Sequence, residues 1–447
     1  MTLTKSFRRA LFLIVAIVLA ASITACSSKS STGGNGGNAS VNTPEPPSAA
    51  DNKGSDASVQ DGELAPEQGA ELLVWESREE VAFTEEIARQ FEEKYGVKVK
   101  IEEVVIPDQV AKLTTDGPSG LGADVVIIPH DHLGNAAASG MILENDVFAE
   151  ETKKNNTEAS IIGATFNGVL YGYPRSAETT ALFYNKSLVP EPPKSFDDLL
   201  AFGRTFTDKS KKKYALMWEA GNMYFNYPFI ASGGGYLFGD NGTNKDDIGL
   251  ANEGVAESMK VYQSLAEILP VKSGDINPDI KRGLFGAGDV AMDINGPWEV
   301  AGYKEALGDN LAIAPIPTVN GKTAITFSGI KIYSVSSFTK YPNAAKLYAQ
   351  FATTKEAQLL LNETIGSVPT NLEALETDQI KNDPIVSGFA EQAKNSEPMP
   401  SIPEMANVWA PVNAAMADIW DNKTDPAAAM EKAITQIKDL NNGLAAE

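Results

Sequence analysis

Three carboxylates, Glu79, Asp131 and Glu178, and four large aromatics, Tyr224, Tyr227, Trp298 and Trp409, fall at expected strand ends and turns, away from any obvious core stripe. Ionised carboxylates accept the stronger kind of hydrogen bond. Flat rings with an apolar body suit C–H faces. A carbohydrate offers both hydroxyls and C–H faces, so the mixture describes a sugar cleft. An amino-acid cleft would call for a charge pair, and a metal cleft for closure by oxygen or histidine donors. Trp298 is the clearest case. The short apolar strand Val290 to Ile294 ends in Asn295-Gly296-Pro297, a sharp turn signal, which delivers the indole just beyond the strand. Ligands of open α/β sheets sit outside the carboxyl ends of strands. An indole there is either a ligand platform or a plug against its own sheet.

Other chemistries find little support. The only histidines, His130 and His132, flank Asp131, and no Gly-x-Ser-x-Gly elbow is present. Two histidines at a strand end do not close a zinc site by themselves. Gly233-Gly234-Gly235 lacks the strand, helix and lysine of a phosphate loop. No metal or cofactor is expected. A glycosidase needs only two opposed carboxylates, and with 59 acidic residues that reading stays open.

The elements that position these residues begin with an apolar strand, Glu71 to Trp75. Ser77-Arg78-Glu79-Glu80 reads as a capping box opening a helix with Phe83, Ile87, Phe91 and Tyr95 on one stripe, closed by Gly96. A half-buried strand follows at Val97 to Ile101, then a short helix from Gln109. Ala123 to Ile128 is an apolar run interrupted only by Asp124, as in a parallel strand covered on both faces. This βαβαβ order predicts an α/β fold with an open, doubly wound sheet. Glu79 and Asp131 then leave the same carboxyl edge, although Ser77, Glu80 and Asp131 are also candidates for helix capping alone. A second unit runs from Tyr214 to Ile294. A strand and helix after Gly329 return to the first pattern, and the last hundred or so residues are helical. The order suggests two lobes, each interrupted by the other.

A net charge of −22 argues against nucleic acid and against adsorption to anionic lipid. The single cysteine, Cys26, excludes an intrachain disulfide. Lys5, Arg8 and Arg9 precede an apolar run, Ala10 to Ala21, too short to span a bilayer comfortably. Ile23-Thr24-Ala25-Cys26 then reads as a bacterial lipobox, the alternative being an ordinary export signal with an incidental cysteine. Residues 1–25 are the expected signal. Residues 26–70, rich in Ser, Gly, Asn, Pro and Asp, are the expected lipidated cysteine and flexible tether, spanning roughly 35 Å as a coil.

Longer stretches carry a resemblance. Leu73-Val74-Trp75, His130-Asp131, Tyr173-Pro174 through Glu178, and Leu182-Phe183-Tyr184-Asn185-Lys186 belong to it. So do Pro192 to Phe196, Tyr224-Phe225, Asp289 through Trp298, and Met399 to Met405 leading to Trp409. From Glu71 onward the chain resembles the maltose/maltodextrin-binding proteins, the extracytoplasmic receptors of ABC sugar importers. The resemblance implies a two-lobed, periplasmic-binding-protein-like type II fold, each lobe an open α/β sheet with helices on both faces and the ligand cleft between them. Lobe I would comprise 71–176 and 328–365, and lobe II 177–327 and 366–447. Ser77, Glu79, Asp131 and Glu178 look like hydroxyl acceptors, and Tyr224, Tyr227, Trp298 and Trp409 like ring contacts. The chain departs from the family pattern at Ile128, Glu80, Tyr227, Ala410 and Asn413, which implies an altered grip on the sugar. The resemblance further implies a monomer that binds an α-1,4-gluco-oligosaccharide, linear or cyclic. Held on the outer face of the cell membrane by the lipid on Cys26, it would deliver the sugar to a permease with a cytoplasmic ATPase. A receptor for another oligosaccharide, a cell-surface glycosidase and a sensor for a membrane kinase are the rival readings.

Overall fold

The computed structural model describes residues 59–60 and 63–444. The expected export signal, Cys26 and most of the tether lie outside the described residues. Two α/β lobes are built on separate sheets. The six-stranded sheet contains β1 (Glu71–Glu76), β2 (Lys98–Glu103), β3 (Val125–Pro129), β4 (Gly172–Thr179), β9 (Thr326–Val335) and β10 (Ser396–Pro398). The four-stranded sheet contains β5 (Ala181–Asn185), β6 (Tyr214–Leu216), β7 (Val290–Asn295) and β8 (Leu311–Ala314), in the order β6-β7-β5-β8.

In the first sheet β1 pairs in parallel with β2 and β3, and β9 runs antiparallel to β3. Residues on a strand alternate between faces, so β3 serves two cores. Val125 and Ile127 join Phe83, Phe91 and Tyr348 on one side, while Val126 and Ile128 join Trp75, Leu113 and Leu133 on the other. That is why the run is apolar at every position. Gly96 closes the first helix, Val81–Tyr95, in the left-handed region.

The chain crosses between the sheets where β4 gives way to β5, with Thr180 alone between them. β4 and β9 pair antiparallel from Gly172–Ser334 to Thr179–Ser328. Val368 bridges Ala177 beside this seam. These strands therefore form the floor on which both lobes meet.

Two expectations need correction. Ser77 does not cap: its Oγ accepts from Ile106 N–H at 3.0 Å, and the helix opens through a 3₁₀ turn, Arg78–Glu80. Glu80 is instead drawn inward by Lys331 and Arg175. Residues ahead of Glu71 are also tied to the fold. Glu67 accepts from the backbone N–H groups of Asn343 and Ala344, at 2.8 and 3.0 Å, at the start of the helix Pro342–Phe351.

Candidate functional site

A cleft of about 600 Å³ opens between the sheets. It is lined by Ser77, Glu79, Asp131, Glu178, Tyr224, Trp298 and Trp409, the predicted residues that the structure brings together. The acids come from the turns after β1 and β3 and from β4, and the rings from helices and turns of the other lobe. Asp131 lies in a 3₁₀ turn and makes no cap. It is buried, with Oδ2 3.5 Å from His132 Nε2, and Oδ1 has no hydrogen-bond partner among the described residues. Trp409 Nε1 is likewise buried without a partner among the described residues.

The aromatic wall is continuous. Trp298 lies 6.2 Å from Tyr224 and 6.4 Å from Phe225, ring centre to ring centre. Gly296 lets the indole fold back over the chain, because a Cβ there would overlap the ring. Trp298 is half-buried: one side packs on its own lobe and the other faces the cleft.

Tyr227 is not on the cleft. It is 1% exposed, stacked on Phe327 with ring centres 3.6 Å apart, and its hydroxyl donates to Glu397. Arg175, on β4 near the crossing to the second sheet, is also sealed in the core. It pairs with Glu76 at 2.9 Å and Glu80 at 2.7 Å.

Sequence reasoning missed Lys331. Its ammonium sits 2.6 Å from Glu178 and 2.7 Å from Glu80 on the cleft floor. Burial pushes the Glu178 carboxyl up despite this partner. Burial opposes charge on Lys331 too, but the two carboxylates outweigh it and raise the lysine above its ordinary value. A charged residue inside the strand run Gly329-Ile330-Lys331-Ile332 was the available signal. Asn222, Phe225, His132 and Asn413 also line the cleft. Arg282 was missed as well. It holds Glu299 through two short bonds, 2.7 and 2.8 Å, and reaches Glu79 at 3.2 Å from the opposite lobe. Lining or bordering the cleft, the charged and amide groups among these can bind hydroxyls. Among the described residues no group of three or more His, Cys, Asp or Glu gathers to hold a metal ion. None of the described helices is long and apolar enough to cross a membrane.

Comparison with known proteins places this geometry. Residues 86–388 match the model for "Bacterial extracellular solute-binding protein". The galactooligosaccharide-binding protein of Bacillus subtilis (strain 168) is 32% identical, over 84% of this chain and 91% of that protein. A maltooligosaccharide ABC transporter solute-binding lipoprotein of Streptococcus pneumoniae (strain ATCC BAA-255 / R6) is 31% identical, over 83% of this chain and 88% of its own. The crystal structure of a cyclo/maltodextrin-binding protein complexed with maltotetraose superposes with a TM-score of 0.68 at 36% identity, covering 83% of this chain and 96% of that one.

Proposed function

The chain belongs to the bacterial extracellular solute-binding protein family, and from that footing we propose that it is the receptor of an ABC importer for α-1,4-linked gluco-oligosaccharides of the maltodextrin class. The sugar binds between the lobes. Acids of one lobe accept its hydroxyls while Tyr224, Trp298 and Trp409 of the other pack on its C–H faces. Lobe I comprises 71–176 and 328–365, and lobe II 177–327 and 366–447; Glu178 lies just past that crossover but stands on β4, in the sheet of lobe I. Closure follows hinge rotation about the crossing strands, driven only by the sugar's preference for the closed state. The closed form is handed to a permease served by a cytoplasmic ATPase. Cys26 carries the lipid that holds the receptor at the outer face of the cell membrane, after removal of residues 1–25. The protein acts as a monomer, and its role is binding and delivery, without chemistry on the sugar.

One observation carries this reading: a single cleft gathers acids from one lobe and rings from the other, with a buried acceptor (Asp131 Oδ1) and donor (Trp409 Nε1) that have no partner among the described residues. A micromolar receptor needs about 8 kcal/mol. Ring contacts at about 0.5–1.5 kcal/mol each beyond their buried area, with charge-assisted hydrogen bonds, supply that order. Calorimetry with maltose, maltotriose, a cyclodextrin and galacto-oligosaccharides tests it. Heat from the glucose polymers is expected. Selective heat from the galacto-oligosaccharides would transfer the reading to the sugar class named for the Bacillus subtilis relative. No heat from any member would remove it. Incubation with maltodextrin should release no reducing sugar.

A further inference from the structure

The pairing of β4 with β9 slips by one residue at the cleft floor. Lys331 faces Ser176 and Ile332 faces Pro174, so Arg175 is the extra residue. A bulge of this kind re-aims side chains. Here Arg175 turns into the core toward Glu76 and Glu80, while Lys331 lines the cleft. The Lys331 ammonium has three N–H bonds to give. Glu80 and Glu178 take two of them, and the ammonium also lies 5.4 Å from the centre of the Trp298 ring. Glu80 has Arg175 as a second cation, whereas Lys331 is the only ion-pair partner of Glu178 among the described residues. The remaining donor of Lys331 and the Glu178 carboxylate thus stand side by side next to the indole.

We propose that Lys331 is a sugar-contacting, specificity-determining residue that acts with Glu178 as a donor–acceptor pair for the vicinal diol of the glucose unit packed on Trp298. One hydroxyl accepts from Lys331 Nζ and its neighbour donates to Glu178. In an α-1,4-linked chain the 1- and 4-oxygens of an internal unit are in linkages, so the adjacent free hydroxyls are those on carbons 2 and 3. The pair therefore reads that diol. The inference rests on the receptor reading above and adds the residue that discriminates within it.

Calorimetry of the wild-type protein, Lys331→Met and Lys331→Arg tests it, using maltotriose and maltotriose deoxygenated at carbon 2 or carbon 3 of one unit. In the wild type, loss of one of these hydroxyls at the unit on Trp298 is expected to weaken binding about tenfold, the scale of a lost charge-assisted bond. In Lys331→Met, maltotriose should bind at least about tenfold more weakly, and the same deoxygenation should cost less than about threefold. Lys331→Arg keeps a cation between the two carboxylates, so it secures a folded protein if the methionine variant does not fold. A purely structural cation would be rescued by arginine; the proposal expects the arginine variant to lose affinity too, since its planar fork places donors differently. Wild-type affinity in Lys331→Arg, or an undiminished deoxygenation penalty in Lys331→Met, would overturn it. Wild-type protein that gives no heat with maltotriose would overturn the receptor reading and this inference together.

Discussion

Gly296 and Trp298 depend on each other, because the indole occupies the space a Cβ at 296 would need. Trp298→Ala should therefore cost sugar affinity by about tenfold or more, from lost contact with the ligand, while unfolding temperature moves by only a few degrees. Gly296→Ala, with the indole present but displaced, should weaken binding in the same direction. Calorimetry and thermal melts check both, and a large drop in melting temperature with binding intact would make the ring a plug. A few residues upstream, Asp293 is fully buried. It accepts from Tyr303 at 2.5 Å and Asn295 at 2.8 Å, with Lys281 3.6 Å away. Burial outweighs these partners and raises its carboxyl from 3.8 to about 6. The folded state thus holds the proton more tightly than the unfolded chain. The stability this contributes is present below pH 3.8 and is lost as pH rises through about 6. Denaturant unfolding should show Asp293→Asn gaining on the wild type by up to about 3 kcal/mol between pH 4 and pH 7. A pH-independent difference would contradict the assignment.

At the scale of elements, Glu67 holds the start of the helix Pro342–Phe351, its carboxylate taking two backbone N–H groups. Glu67→Ala should lower stability by about 1 kcal/mol, as other lost helix caps do, and leave sugar binding unchanged by calorimetry. His130 ties three segments in a related way. Its Nδ1 accepts from Ile330 N–H at 3.2 Å, and its Nε2 donates to the Met399 carbonyl at 3.0 Å. These contacts show what patterning can and cannot reveal. β3 and β7 were legible because each is a mostly apolar run bounded by turn signals, and Trp298 because Asn-Gly-Pro fixed where its strand ends. The face of the helix Met223–Ala231 was not legible. Nearly every residue on it is buried, so no polar side distinguishes Tyr224, which reaches the cleft, from Tyr227, which packs on Phe327. Residues three apart are neighbours on a helix, and only the tertiary partner separates them. Ser77 misled for the opposite reason. A good local cap was overridden by a backbone donor, Ile106, far along the chain. Lys331 was hidden because both its partners, Glu80 and Glu178, are distant in sequence.

For the whole molecule, the contact between Arg282 and Glu79 spans the cleft at 3.2 Å, with both side chains partly exposed. A pair of that exposure is worth about 0.2–1 kcal/mol and weakens with salt. It biases closure without locking it. Arg282→Gln should raise the open population of the sugar-free protein by up to about fivefold, read as a larger radius of gyration by small-angle scattering; an unchanged radius would deny the contact any role in closure. A bound sugar would have to recruit Glu79 from the same arginine, so closure and binding share one carboxylate. The central claim is that this cleft holds an oligosaccharide between acids of one lobe and rings of the other. A crystal structure of the protein grown with maltotriose tests it most directly. The account predicts glucose rings packed on Trp298 and Trp409, with hydroxyls within hydrogen-bond distance of Asp131 and Glu178. Sugar density elsewhere on the surface, or a cleft occupied with its hydroxyls turned away from those carboxylates, would contradict it.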